Sequence, residues 1–90
     1  MQARHYVISG KVQGVYYRKS TKATAECLKL LGWVRNLEDG RVETYAVGSS
    51  QQLQAFEKFL HQGPPNARVV AVIVEDAEVM ANCVSFEILE

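Results

Sequence analysis

The chain of 90 residues carries ten basic and ten acidic side chains, so its formal net charge is zero, and 48% of its residues are apolar. This length predicts one domain, residues 1–90, with a single hydrophobic core. A neutral balance disfavours nucleic acid as a partner, because such binding depends on many Lys and Arg side chains that neutralise phosphates. No apolar run is long enough to cross a membrane.

Cysteine usage gives a second constraint. Cys27 and Cys83 are the only cysteines, and they form neither a disulfide framework nor a metal-ligand spacing. We therefore expect a protein of the reducing cytoplasm without a metal or other cofactor. The length and balanced charge suit a monomer, and the lack of a long apolar run predicts no membrane partner.

The first part of the chain predicts a strand followed by a helix. Residues 4–10 alternate in polarity, which predicts a strand that extends to about Val12. From Tyr17 to Leu31, apolar residues recur at spacings of three and four, which predicts an amphipathic helix. Gly32 stands at the position where glycine often ends a helix, so we expect the helix to stop there.

The middle of the chain predicts a hairpin and then a second helix. Residues 33–37 and 42–46 predict two strands, and the Asp39-Gly40 pair has the chemistry of the turn between them. Ser49 or Ser50 can cap the next helix, which Gly63-Pro64-Pro65 would stop. The residues of this helix that share one apolar face are Leu53, Phe56 and Leu60.

The last part of the chain completes the fold. Residues 68–75 are continuously apolar and β-branched, which predicts a well-buried strand. Residues 76–82 predict an irregular connection, and residues 84–89 a short final strand. The order is therefore βαββαβ with an extra C-terminal strand. We expect an α+β, ferredoxin-like sandwich with two helices on one face of a mainly antiparallel sheet.

The segment that joins the first strand to the first helix resembles an anion cradle. Gly14 permits backbone conformations that other residues avoid, and successive N–H groups from Gly14 to Arg18 could point inward at the start of the helix. Arg18 would add a forked donor of permanent positive charge. The alternative is a plain strand-to-helix turn with Arg18 in solvent, and the spacing alone leaves both open.

Asn36 stands at the end of the second predicted strand, on the same face as Val34. In this fold the first two strands run parallel, two strand spacings apart, or roughly 10 Å. Their carboxyl ends meet at one edge of the sheet, and ligands often bind at this edge in open α/β sheets. An amide there can bind water and a phosphate oxygen together. Alternatively, Asn36 only prepares the following turn.

Two stretches of the sequence closely resemble one enzyme family. The stretch GKVQGVYYRKST, residues 10–21, and the stretch LLGWVRNLEDGRVE, residues 30–43, are similar to the two signature blocks of the acylphosphatases. The resemblance covers nearly the whole chain and fades between residues 76 and 83. Tyr16 and Tyr17 depart from it, since Gly and Phe are commoner at these positions.

The resemblance implies hydrolysis of the carboxyl–phosphate bond of acyl phosphates, giving a carboxylate and inorganic phosphate, without a metal or a covalent enzyme intermediate. It implies two catalytic residues, of which Arg18 binds the phosphoryl group and Asn36 orients the attacking water. Thr21 would support the site, and the carboxylate of the terminal Glu90 could contact Arg18. The implied phosphate-binding set is Gln13, Gly14, Val15, Tyr16, Tyr17 and Arg18.

Two other functions remain as alternatives. The chain could be a non-catalytic domain of the same fold that binds a phosphorylated or acidic ligand. It could also bind RNA, since RNA-recognition domains share this strand order and Tyr6 with Tyr45 could place aromatic rings on neighbouring central strands. Retention of both Arg18 and Asn36 favours catalysis, because binding alone needs no amide to hold water.

Overall fold

The computed structural model describes residues 1–89 and shows two helices packed on one face of a five-stranded sheet. This confirms the expected ferredoxin-like α+β arrangement with a short extra strand at the end. The elements in chain order are β1 (Gln2–Lys11), α1 (Tyr17–Cys27), β2 (Leu31–Asn36), β3 (Val42–Gly48), α2 (Ser50–Gln62), β4 (Arg68–Ala77) and β5 (Phe86–Ile88).

The sheet has the strand order β4-β1-β3-β2-β5. β1 lies antiparallel to β3 and to β4, β2 lies antiparallel to β3, and β5 runs parallel to β2. It follows that β1, β2 and β5 all point the same way. Their carboxyl ends meet at one edge of the sheet, and the loop into α1 starts from that edge.

The core lies between the sheet and the two helices. Alternate residues of the strands face the helices, while each helix turns one apolar stripe inward. The buried residues of this cluster are Tyr6, Ile8, Val12, Val15, Tyr17, Ala25, Leu30, Val34, Val42, Ala46, Leu53, Phe56, Leu60 and Phe86.

Both ends of α2 follow from local sequence chemistry. The Ser49 side chain accepts a hydrogen bond from the Gln52 backbone N–H, and the Gln52 side chain accepts one from the Ser49 backbone N–H. This reciprocal cap satisfies two donors that the helix itself cannot satisfy. Gly63 ends the helix with a φ of 68°, and its N–H donates to Phe59. The predicted cap and stop are both confirmed.

The predicted end of α1 is wrong. The helix ends at Cys27 rather than at Leu31, and Lys29 takes the left-handed conformation, with a φ of 61°, that turns the chain back. Leu31 and Gly32 belong to β2 instead. The apolar spacing continues past the helix because Leu30 still enters the core from the connecting turn.

Gly32 is required by close packing of β2 on β3. Its φ is 144°, and a Cβ placed on it would lie 1.8 Å from the carbonyl oxygen of Tyr45. Any side chain would therefore push the two strands apart, in addition to straining the backbone.

We expect Gly32→Ala to lower the free energy of unfolding by about 2–5 kcal/mol, measured by urea denaturation. The matched control is Gly40→Ala, since Gly40 also has a positive φ of 95°, but a Cβ there would meet no atom within 4 Å. The control should report backbone strain alone. Equal losses in the two variants would contradict the steric explanation.

The prediction that residues 68–75 form a well-buried strand is wrong about burial. Within residues 1–89, β4 is an edge strand whose one partner is β1, and it continues to Ala77, into the predicted connection. Val70, Ile73 and Val74 remain 74%, 51% and 42% exposed. A continuous apolar run is typical of a strand covered on both faces, but here the helices cover one face of β4 only in part.

The aromatic pair that the RNA-binding alternative requires is absent. Tyr6 pairs with Thr44 across β1 and β3, while Tyr45 pairs with the neighbouring His5, so the two tyrosines face opposite sides of the sheet. Tyr6 is fully buried under α2, where its hydroxyl donates to Glu57 at 2.8 Å. Tyr45 stacks on Trp33 on the other face. The two rings lie on neighbouring central strands, as expected, but they do not form one surface on which bases could stack.

Candidate active site

A cavity of about 380 Å³ opens at the edge of the sheet where β1 and β2 end and α1 begins. This volume is within the range of small-molecule sites, roughly 300–1,000 Å³. The cavity brings together most of the site residues expected from the sequence. Its lining consists of Val12, Gln13, Gly14, Tyr16, Tyr17, Arg18, Lys19, Asn36 and Ile88.

The loop between β1 and α1 has an unusual backbone. Gly14 has a φ of 73° and Tyr16 a φ of 65°, so two left-handed residues flank Val15. Such alternation turns successive N–H groups toward one side of the chain and forms an anion-binding concavity. Val15 does not line the cavity: its side chain is 6% exposed and fixes the loop to the core.

The N–H groups of this loop are available for a ligand. None of those from residues 14–18 donates to another backbone group of residues 1–89. α1 starts at Tyr17, with no side-chain cap and no acidic residue in its first turn. Its free N–H groups and the positive end of its dipole therefore both act on the cavity.

The charged side chains of the cavity are both basic. Arg18 and Lys19 line it, and no carboxylate is among the lining residues of the described chain. Arg18 is half-buried and forms no ion pair with a carboxylate of residues 1–89. The suggested contact from Glu90 lies outside the described residues. The electrostatics of the cavity favour an anion.

Asn36 faces the same cavity from the end of β2. Its side-chain oxygen Oδ1 is buried and accepts no hydrogen bond from any of the residues 1–89. An unsatisfied buried acceptor costs roughly 1–3 kcal/mol, so this carboxamide is built at the expense of stability. A buried polar group of this kind needs an explanation beyond packing.

Gln13 connects the two walls of the cavity. Its side-chain Nε2 donates to the carbonyl oxygens of Leu37, at 2.8 Å, and Arg41, at 2.9 Å. Leu37 immediately follows Asn36, so this amide ties the loop after β1 to the turn after β2. Both of its N–H donors are used there, which makes Gln13 a positioning residue whose side chain spans the site.

Tyr17 and Thr21 anchor the start of α1. The Tyr17 hydroxyl donates to the carbonyl oxygen of Leu60 on α2 at 2.6 Å, and burial raises the pKa of this phenol. The Thr21 hydroxyl is fully buried and donates to the carbonyl oxygen of Tyr17 at 2.7 Å. Thr21 does not line the cavity, so any support that it gives acts through the first turn of the helix.

Comparison with known proteins decides the family. The sequence matches the family model described as acylphosphatase over residues 4–88. The chain belongs to the acylphosphatase family. Family membership confirms the expected enzyme class, a hydrolase whose substrate is a small acyl phosphate and whose product is phosphate.

Individual acylphosphatases support the same assignment. The chain is 54% identical to an acylphosphatase of Acaryochloris marina over 83 residues, which are 92% of this chain and 88% of the relative. It superimposes on the crystal structure of acylphosphatase from Bacillus subtilis with a TM-score of 0.95, at 33% identity and full coverage of both chains. An acylphosphatase from Coxiella burnetii gives a TM-score of 0.93 at 39% identity, covering 98% of this chain and 92% of that one.

Two residues of this acylphosphatase cavity are not expected from the sequence. Lys19 follows Arg18 directly, and its exposed position suggests only a solvated helix. Ile88 reaches the cavity because β5 runs parallel to β2 and ends at the same edge of the sheet. The short final strand is expected, but its partner and direction cannot be inferred from so few residues.

The described part of the acylphosphatase chain offers no metal site. No group of three or more His, Cys, Asp or Glu side chains in residues 1–89 is placed to hold a metal ion. No helix among these residues has the length and apolar character needed to cross a membrane.

Proposed function

We propose that the phosphoryl group of the substrate binds in the loop after β1, held by the N–H groups of residues 14–18 and the Arg18 guanidinium. Asn36 holds the water molecule that attacks phosphorus. The observation that carries this proposal is the shared cavity: the loop with free backbone donors, the Arg18 side chain and the Asn36 side chain meet at one space.

These groups suffice for the reaction because of its chemistry. In an acyl phosphate the leaving group is a carboxylate, which needs no strong general acid. Phosphoryl transfer then depends on positioning the nucleophile and on stabilising the charge of the transferred group. The loop donors supply charge stabilisation without rearranging, since α1 and the core fix the loop backbone in advance, and Arg18 adds its positive charge.

The proton of the attacking water needs an acceptor. A carboxamide is not a base at any working pH, so Asn36 orients the water by hydrogen bonding and takes no proton. An oxygen of the substrate's own phosphate is the nearest base in the proposed complex. The O–P bond to water forms as the P–O bond to the carboxylate breaks, and the products are a carboxylate and inorganic phosphate.

The histidines lie away from this chemistry. His5 is on the sheet face opposite the helices, where its Nε2 lies 2.6 Å from the Glu43 carboxylate. Burial acts to raise the pKa of Glu43, but hydrogen bonds from His5 and Arg35 hold it below its ordinary value. His61 is exposed in the last turn of α2. Neither ring lines the cavity.

We expect phosphate release from benzoyl phosphate in excess EDTA. Between pH 6 and 8, kcat/KM should show no change as large as the one that titration of a catalytic acid or base would cause. His5→Ala and His61→Ala should keep kcat/KM within roughly threefold of the parent, well below the 10²–10⁴-fold of a lost general base. Loss of activity in either variant would contradict the substrate-assisted route. A chain inactive in EDTA would contradict the proposed function as a whole.

We propose further that residues 1–90 work as one domain, as a monomer in the cytoplasm and without a nucleic-acid partner. The free thiols of Cys27 and Cys83 suit a reducing compartment. The zero net charge and the separation of Tyr6 from Tyr45 support the absence of a nucleic-acid partner.

A further inference from the structure

Tyr16 occupies a backbone conformation that a tyrosine rarely adopts. Its φ is 65° at the N-cap of α1, where glycine carries no steric penalty. The side chain of Tyr16 adds little stabilising contact within the fold. It is 75% exposed, and its hydroxyl makes no hydrogen bond with residues 1–89.

The ring of Tyr16 stands at the cavity. It lines the space together with Arg18 and the free N–H groups of the loop, although it contributes to neither hydrophobic cluster of the core. Residues in strained backbone conformations that do not stabilise the fold are concentrated at functional sites. The position of this ring therefore points to contact with a ligand.

The direction of the reaction places the acyl group near this ring. In phosphoryl transfer the attacking and leaving oxygens lie roughly in line on opposite sides of phosphorus. Asn36 holds the water at the end of β2, and β3 separates β2 from β1. The leaving carboxylate and its acyl group then point away from Asn36, and of the two aromatic residues that line the cavity only Tyr16 is exposed to meet them.

We propose that Tyr16 is a specificity-determining residue, whose ring packs against the acyl group and favours acyl phosphates with a planar, apolar acyl group. An exposed aromatic ring gains most by covering an apolar surface, and stacking on a second ring adds to this gain. The proposal rests on the proposed function, because it needs the phosphoryl group in the loop and the water at Asn36.

The test compares two substrates in one set of variants. The kcat/KM for benzoyl phosphate is divided by that for acetyl phosphate, so that any effect of the substitution on the phosphate loop itself cancels. We expect this ratio to fall about tenfold in Tyr16→Gly, the scale of one lost aromatic contact. Tyr16→Phe, which keeps the ring, should retain the parent ratio.

Lys29→Gly is the matched control for backbone strain. Apart from Tyr16, Lys29 is the one non-glycine residue of the described chain with a positive φ, 61°. It lies just beyond the C-terminal end of α1. Both glycine variants should have a Tm equal to or above that of the parent, but only Tyr16→Gly should change the substrate ratio.

The outcomes separate the two proposals. An unchanged ratio in Tyr16→Gly, with both substrates still hydrolysed in a manner that needs Asn36, overturns the acyl contact and leaves the proposed function standing. If the parent hydrolyses neither substrate, or if Asn36→Ala hydrolyses both as fast as the parent, both proposals fail together.

Discussion

Asn36→Ala should slow phosphate release from benzoyl phosphate by about 100- to 1,000-fold in kcat, the scale of a misplaced nucleophile or a lost preorganised contact. The affinity for inorganic phosphate, measured as competitive inhibition, should change little, because the loop donors and Arg18 remain. The expected defect is therefore in turnover and not in binding. This separation distinguishes an enzyme from the non-catalytic anion-binding alternative.

The stability of the same variant gives an independent check. Asn36 Oδ1 is a buried acceptor without a donor in residues 1–89, so its removal should leave the free energy of unfolding equal to or above that of the parent. Asn66→Ala serves as the control, since Asn66 is exposed in the loop before β4 and should affect neither quantity. A variant that remains fully active would show that Asn36 does not hold the nucleophile.

Arg18→Ala should lose both binding and turnover. A guanidinium that donates two hydrogen bonds to a phosphoryl group contributes about 1.5–3 kcal/mol for each bond. We therefore expect phosphate inhibition to weaken, and kcat/KM to fall, by roughly 100-fold or more, a factor of ten for each 1.4 kcal/mol. Arg18→Lys should recover only part of this loss, because an ammonium group lacks the planar fork.

The control for Arg18→Ala removes the same positive charge from another place in the structure. Arg41 is paired with Asp39 in the β2–β3 turn, with its Nε 2.8 Å from a carboxylate oxygen. Arg41→Ala lowers the net charge by the same amount but leaves the cavity lining intact. If both variants weakened phosphate inhibition equally, the effect would come from the overall field and not from a contact.

The elements whose local chemistry is unambiguous could be predicted from the sequence. The α2 cap at Ser49 and its stop at Gly63 depend only on neighbouring residues, and both are confirmed. The meeting of Arg18 and Asn36 at one cavity follows from the parallel directions of β1 and β2, since each of them pairs antiparallel with β3. The roles of these two residues in catalysis stay predictions.

Other features depend on tertiary contacts that no local pattern encodes. The sequence alone predicts a helix end at Gly32. The true reason for this glycine, the close approach of β2 to the Tyr45 carbonyl, is visible only once the strands are paired. The exposure of β4 depends on how far α2 extends across the sheet, and apolar periodicity carries no such information. The strain at Tyr16 is equally hidden, since the sequence shows the side chain and not its φ.

The Gln13 hydrogen bonds have a consequence for how the active centre responds to motion of the sheet. The phosphate loop and Asn36 follow strands that are not neighbours, so flexing of β3 between them would vary their separation. The Gln13 amide joins the two segments directly and so restricts this variation. The alignment that the proposed attack requires would thus depend less on how the rest of the sheet twists.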